Sequence, residues 1–172
     1  NALKHGASGF THLFNAMTPL HHREPGMVGA ALAHAHYAEL IPDLLHVHPG
    51  AIHVALRAIP HVYCVTDGTA ATGMPDGMYM LGSQEVNKCL GGVRLKDGTL
   101  AGSTLTMIDA LRNLHSIGLS IAEASQRLST VPAQYLGLNN RGQLVEQAIA
   151  DIVVIDKNLH LHTVYTRGEA HA

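Results

Sequence analysis

The sequence predicts an α/β fold, and three observations carry that expectation. From residue 9 to about residue 67 short apolar runs alternate with helical patterns, the rhythm of successive strand–helix units. From Gly68 to Gly102 that rhythm gives way to strand-like pieces punctuated by glycine, by Pro75 and by the turn Asp97-Gly98, which reads as a β-rich excursion. Over 172 residues, 47% are hydrophobic and 14% charged, so the chain can bury a core and is not a disordered polymer.

Taken in order, Gly9 to Phe14 reads as a strand ending in polar residues, and Asn15 to Gly26, with Pro19 and Pro25, as a long loop. Met27 to His36 reads as a short helix of small residues, and Tyr37 to Ile41 as the next strand. Pro49 suits the first turn of a helix in which Ile52, Ala55, Leu56 and Ile59 share one face, and Pro60 stops it. His61 to Asp67 is a third strand, almost continuously apolar as parallel strands covered on both faces tend to be. Beyond the excursion, Thr106 and Asp109 resemble a capping box before a stripe of Met107, Ala110, Leu111, Leu114 and Ile117 that Gly118 closes. Ser120 with Glu123 opens a second helix through Leu128, and Thr130 to Leu136, with Pro132 near its start, makes a third. Asp151 to Asp156 and Leu161 to Thr166 read as two closing strands with Asn158 in the turn between them.

Three strand–helix units with polar strand ends suggest part of a (β/α)8 barrel, where chemistry sits at the carboxyl ends of the strands. A whole barrel takes about 250 residues, so three of the eight strands is the expected share. The organisation expected is a partial barrel over residues 1–140, with the β-rich excursion at 73–102, followed by β strands over 141–172. A first residue other than methionine adds the expectation of a fragment.

Bulk properties narrow the function. With 13 acidic against 11 basic residues and a net charge of -2, no basic field exists to neutralise a nucleic-acid backbone. No apolar run approaches the roughly 20 residues that span a bilayer, and the first residues hold no secretory core, so no membrane partner and a cytoplasmic setting are expected. Cys64 and Cys89 form neither a disulfide framework nor a four-thiolate zinc site, and both are expected buried and reduced.

Among 14 histidines, position has to select. His12, at a strand end before Asn15 and a long loop, could offer a neutral nitrogen to zinc, or be a hydrogen-bonded core residue. Asp67, closing the run from Val62 to Thr66, is costly as a buried charge unless paired, metal-linked or used for proton transfer, although Asp-Gly-Thr is also turn chemistry. Of His46 and His48, bracketed by Pro42 and Pro49, one at most is functional, and His34, His36, His160 and His162 read as surface residues. Gly98 to Thr104 precedes the clearest helix and could receive a polar ligand, and Arg23 in its loop could grip phosphate or face solvent.

Thr-His-Leu-Phe-Asn-Ala-Met (11–17), Arg-Glu-Pro-Gly (23–26), Leu-His-Val (45–47), Val-Thr-Asp (65–67) and Gly-Thr-Leu-Ala-Gly-Ser-Thr-Leu-Thr-Met (98–107), taken together, resemble the second half of the N-acetylglucosamine-6-phosphate deacetylases. Gly-Gln-Leu (142–144) and Ala-Asp-Ile-Val-Val-Ile-Asp (150–156) are similar to the closing segment that amidohydrolases share more widely. The resemblance implies a metal-dependent hydrolase barrel, here strands six to eight, and a piece of a small β-sandwich domain. It implies that His12 ligates zinc and that Asp67 is the general base and acid in amide hydrolysis, yielding acetate and glucosamine 6-phosphate. It further implies that Asn15, the backbone at Ala16, and His46 hold the sugar phosphate, and that Leu100, Ala101 and Gly102 line the pocket. Arg23 would reach the phosphate in a neighbouring subunit, so a homodimer follows. Leu45 stands where relatives usually carry glycine, and His48 where they are often acidic. The other metal ligands, an acidic residue and a histidine, and the histidine that polarises the carbonyl belong to earlier strands, so the chain alone is expected to be inactive.

Two alternatives stay open. Another amidohydrolase acting on a cyclic amide or nucleobase would keep His12 and Asp67 without needing Asn15, Arg23 and His46. A non-catalytic half-barrel would instead cover its open strand edges by self-association.

Overall fold

Three short parallel strands, β1 (Gly9–Phe10), β2 (Tyr37–Leu40) and β3 (His61–Cys64), lie side by side in that order in the computed structural model, which describes residues 2–171. The crossovers are α1 (Gly26–His34) and α2 (Pro49–Ala58). Both form where expected, with Pro49 in the first turn of α2 and the stripe of Ile52, Ala55 and Ile59 fully buried. His48 closes the start of α2 as its N-cap, its Nδ1 accepting from Gly50 N–H at 3.1 Å.

Two of the strands are shorter than the apolar runs that encode them. After Phe10 the chain winds through left-handed backbone at alternate residues, His12 (φ 30°), Phe14 (φ 79°) and Ala16 (φ 53°). The intervening Leu13 is fully buried and its N–H donates to the Glu39 carbonyl at 2.8 Å. β3 stops at Cys64, although Val65 N–H still donates to the Leu40 carbonyl. Asp67 follows at φ 47° and is exposed, so its carboxylate is not the buried charge that the apolar run suggested.

The excursion is a four-stranded antiparallel sheet in sequence order: β4 (Gly77–Leu81), β5 (Gln84–Cys89), β6 (Gly92–Arg94) and β7 (Leu100–Ser103). It covers a small core of its own, Ala71, Val86 and Val93. Cys89 is half-buried, contrary to expectation, because it is the last residue of β5, beside the exposed Leu90. Cys64 is buried and free, and burial pushes its thiol up to about 12.

The main core lies between the parallel sheet and the helices. Leu13, Ala38, Leu40, Ile52, Val62 and Leu114 are among its fully buried members. The helix α3 (Met107–Ser116) contributes Leu111 and Leu114, and its Ala110 packs in a second cluster with Ile41 and Leu105, whereas Met107, at its first turn, is exposed. The next two expected helices join: α4 (Ile121–Ser125) passes through a π-helical turn, Gln126–Thr130, into α5 (Val131–Tyr135). Pro132 has no N–H to give the carbonyl four residues back, and Val131 N–H bonds Gln126 instead, so the wider turn absorbs the proline without ending the helix.

The capping box at Ser120 is complete. Its hydroxyl accepts from Glu123 N–H while the Glu123 carboxylate accepts from Ser120 N–H at 2.9 Å. Ser120→Ala is therefore expected to cost about 1 kcal/mol, seen as a lower urea midpoint with unchanged slope.

A last antiparallel sheet holds β8 (Ile152–Ile155), β9 (Leu161–Thr166) and β10 (Glu169–His171) in the order β10-β9-β8. β10 is additional to the sequence expectation. Arg167 and Gly168 both take positive φ (53° and 87°), the signature of a two-residue hairpin turn, but arginine does not advertise it. Among the described residues no helix is long and apolar enough to cross a membrane.

Candidate active site

The carboxyl ends of all three parallel strands open on one cleft of about 600 Å³. His12, Asn15 and Ala16 reach it from the loop after β1, His46 from the loop after β2, and Asp67 from the bend after β3. Arg94, Gly98, Thr99, Leu100 and Gly102 close it from the β6–β7 hairpin. Convergence of strand ends is where an α/β sheet can aim side chains at a ligand without breaking its own ladder.

Local hydrogen bonds explain how each group is aimed. His12 Nδ1 stands 3.1 Å from the Asn15 carbonyl, which can only accept, so in the neutral ring the proton sits on Nδ1 and the lone pair on Nε2. A neutral imidazole pinned in this way is the donor state a divalent metal takes. Asn15 is held by its own amide, which donates to the His12 and Leu13 carbonyls at 3.3 Å each. No group of three or more metal-binding side chains gathers among the described residues.

Asp67 is braced through its backbone. Ser103 N–H donates to the Asp67 carbonyl at 2.9 Å, and the buried Ser103 hydroxyl donates to the Thr66 carbonyl at 2.5 Å. Gly102 makes this approach feasible: at φ 108°, a Cβ there would sit 2.7 Å from Thr69 Cγ2. The segment from Gly98 to Gly102 thus reaches the cleft through strand β7 and not through the helix start that follows it.

The loop after β2 holds a pair that sequence reasoning missed. Asp43 Oδ2 accepts from His46 Nδ1–H at 2.6 Å, and the two side chains are only 5% and 6% exposed. Asp43 Oδ1 also accepts from the Leu45 and His46 backbone N–H groups at 2.9 and 2.8 Å. Burial alone would raise this carboxyl, yet the bonds from His46 and Leu45 outweigh it and hold Asp43 below the usual aspartate value. Leu45, set at a glycine position by the resemblance, is exposed; the left-handed residue of the loop is its neighbour Leu44 (φ 63°).

Two of the expected site residues lie elsewhere. Arg23 is exposed, outside the cleft, with Nη1 2.8 Å from His22 Nε2, because its loop runs over the surface before α1. Ala101 packs its methyl towards the Ala71, Val86 and Val93 core, since alternate residues of β7 face opposite ways. The cation that does line the cleft is Arg94, its Nη1 donating to the Gly98 carbonyl at 3.1 Å. Nothing local in Gly-Val-Arg announces it; only the hairpin brings it there. His34, His36, His160 and His162 are all exposed.

Residues 10–170 match the model of the Amidohydrolase family. Over 171 residues the chain is 44% identical to the N-acetylglucosamine-6-phosphate deacetylase of Lysinibacillus sphaericus, covering 97% of this chain and 44% of that protein. It is 42% identical over 162 residues to a putative N-acetylgalactosamine-6-phosphate deacetylase of Escherichia coli strain K12, covering 92% of this chain and 97% of that protein. It also superposes, with a TM-score of 0.89 and 37% identity, on a mutant of the Mycobacterium smegmatis N-acetyl-D-glucosamine-6-phosphate deacetylase solved with N-acetyl-D-glucosamine-6-phosphate. That match covers 98% of this chain and 46% of the solved one. The chain thus spans somewhat under half the length of most of the relatives it matches.

Proposed function

The chain belongs to the amidohydrolase family, and from that premise we propose that it forms part of a deacetylase active site hydrolysing N-acetylglucosamine 6-phosphate to glucosamine 6-phosphate and acetate. The observation that carries this is the meeting of His12, Asn15, Ala16, His46 and Asp67 in one cleft at the ends of three parallel strands. In this reading the three strands are about strands six to eight of a (β/α)8 barrel over residues 1–140, with the excursion at 73–102. Residues 141–172 then supply strands of a small β-sandwich domain.

His12 Nε2 would hold a divalent metal, most simply zinc, together with ligands from outside the chain. When bound, such a metal supplies Lewis acidity and draws the pKa of a coordinated water towards about 7. Asp67 takes the proton of the attacking water and returns it to the departing sugar amine, a transfer its exposed position in the cleft permits. Asn15, the Ala16 backbone and His46 hold the sugar phosphate, while Leu100 to Gly102 wall the pocket, Ala101 through its backbone alone. Arg23, standing outside the cleft, would serve the phosphate of a second copy in a homodimer, and the setting would be the cytoplasm.

The test is complementation. Co-expression with the portion of the Lysinibacillus sphaericus relative that this chain does not match is expected to release acetate from N-acetylglucosamine 6-phosphate and to stop on chelation. The chain alone is expected to give background release. Faster hydrolysis of a phosphate-free cyclic amide by the same mixture would overturn the assignment. Because the relative of nearly equal length bears the galacto name, the C4 epimer belongs in the same assay. Preference for it would keep the chemistry and change the sugar.

A further inference from the structure

We propose that Asp43 is a positioning residue for the cleft: by accepting from His46 Nδ1–H, it fixes the ring's tautomer and presents Nε2 to the anionic group of the substrate. The inference rests on the reading of His46 as a sugar-phosphate contact and adds to it the residue that orients the contact. The geometry divides the labour of one carboxylate between its two oxygens. Oδ1 receives the Leu45 and His46 N–H groups and shapes the turn, while Oδ2, at 2.6 Å, receives the imidazole proton. Both side chains are nearly closed to solvent, so water does not compete for either end of the bond. His46 nonetheless lines the cleft, and with Nδ1 occupied the nitrogen left for a ligand is Nε2. A carboxylate held ionised against burial keeps the ring hydrogen-bonded whether or not Nε2 takes a second proton. When Nε2 does take one, its bond to a phosphate oxygen is charge-assisted, and Asp43 balances the charge behind it.

The division of labour makes Asp43→Asn informative. The amide oxygen can keep the two backbone bonds, but the amide nitrogen then faces His46 Nδ1 as a donor. To avoid two opposed hydrogens, the ring must move its proton to Nε2. Long-range proton–nitrogen spectra of the full chain labelled with nitrogen-15 histidine, with His46 assigned by its loss in His46→Gln, read this directly. The expected result is an Nδ1–H ring in the parent and an Nε2–H ring in Asp43→Asn, with the rest of the spectrum unmoved. A ring that keeps its Nδ1 proton in a folded Asp43→Asn chain overturns the proposal. If the substitution unfolds the loop, Asp43→Glu, which restores a carboxylate, is expected to restore the Nδ1–H signal, and its failure to do so in a folded chain counts equally against it.

Titration with inorganic phosphate supplies the second arm. Replacing a charge-assisted bond with a neutral one is expected to weaken the phosphate-induced shift of the His46 ring about tenfold in midpoint, about 1.4 kcal/mol by the usual conversion. Tautomer inversion without any phosphate response in either chain upholds Asp43 as the positioning residue and removes the sugar-phosphate role of His46. The two failures are thereby told apart.

Discussion

Asp67→Asn, made in the chain and assayed in the complemented enzyme, is expected to lower kcat by about 10²- to 10⁴-fold, the span that a positioned acid–base group contributes. The substitution keeps size and shape and removes only the capacity to take a proton. Asparagine tolerates left-handed backbone better than most residues, so the φ of 47° at this position is not a new burden. The brace on this bend runs through the Asp67 carbonyl and Ser103 N–H, which the change leaves untouched. Melting temperature should therefore stay within error while turnover collapses and KM moves little. An undiminished kcat would remove Asp67 from the chemistry, whatever else held.

Leu40→Ala is expected to cost about 2–5 kcal/mol, the range for deleting a fully buried leucine. For a chain of this size that corresponds to a fall in Tm of roughly 4–20 °C. Leu40 is wholly buried at the end of β2, and its carbonyl receives Val65 N–H at 3.0 Å, so it ties the second strand to the third just below the cleft. Ile41 and Pro42, both buried, then lead directly to Asp43. A cavity at Leu40 should thus loosen the His46 loop as well as lower global stability, and the nitrogen-15 histidine spectrum would report the first while urea unfolding reports the second. Met80→Ala, with its side chain 58% exposed, serves as the control and should change stability by no more than about 0.5 kcal/mol. Equal shifts for the two variants would contradict the placement of the core.

The alternation of strand and helix was legible because it is written in period and punctuation: Pro49 opens α2, Thr106 and Ser120 cap α3 and α4, and the buried stripe of α2 falls where spacing puts it. What was not legible depended on contacts across the chain. The run from Gly9 to Phe14 reads as one strand, yet it leaves the sheet at Phe10 because Leu13 turns into the core. Pro132 read as the start of a new helix, although the neighbouring carbonyls had a wider turn available. Arg94 carries no motif and reaches the cleft only because β6 and β7 fold back on each other. Asp43 did leave a local trace, an acidic residue three positions before a loop histidine, but such spacing becomes informative only once both side chains are known to be buried. Conversely, the grouping of His12, Asn15, Ala16, His46 and Asp67 at one set of strand ends follows from parallel topology, which sequence rhythm does convey.

The alternating left-handed residues His12, Phe14 and Ala16 set a limit on how this molecule could be toughened. Each L-residue wound this way sits about 1–2 kcal/mol above its relaxed state, so an engineer seeking heat resistance would be drawn to glycine at all three. At position 12 the same exchange would strip the imidazole from the cleft. Durability and the imidazole's place in the cleft therefore compete for a single short stretch of backbone, and any hardier descendant would have to gain its margin elsewhere in the molecule.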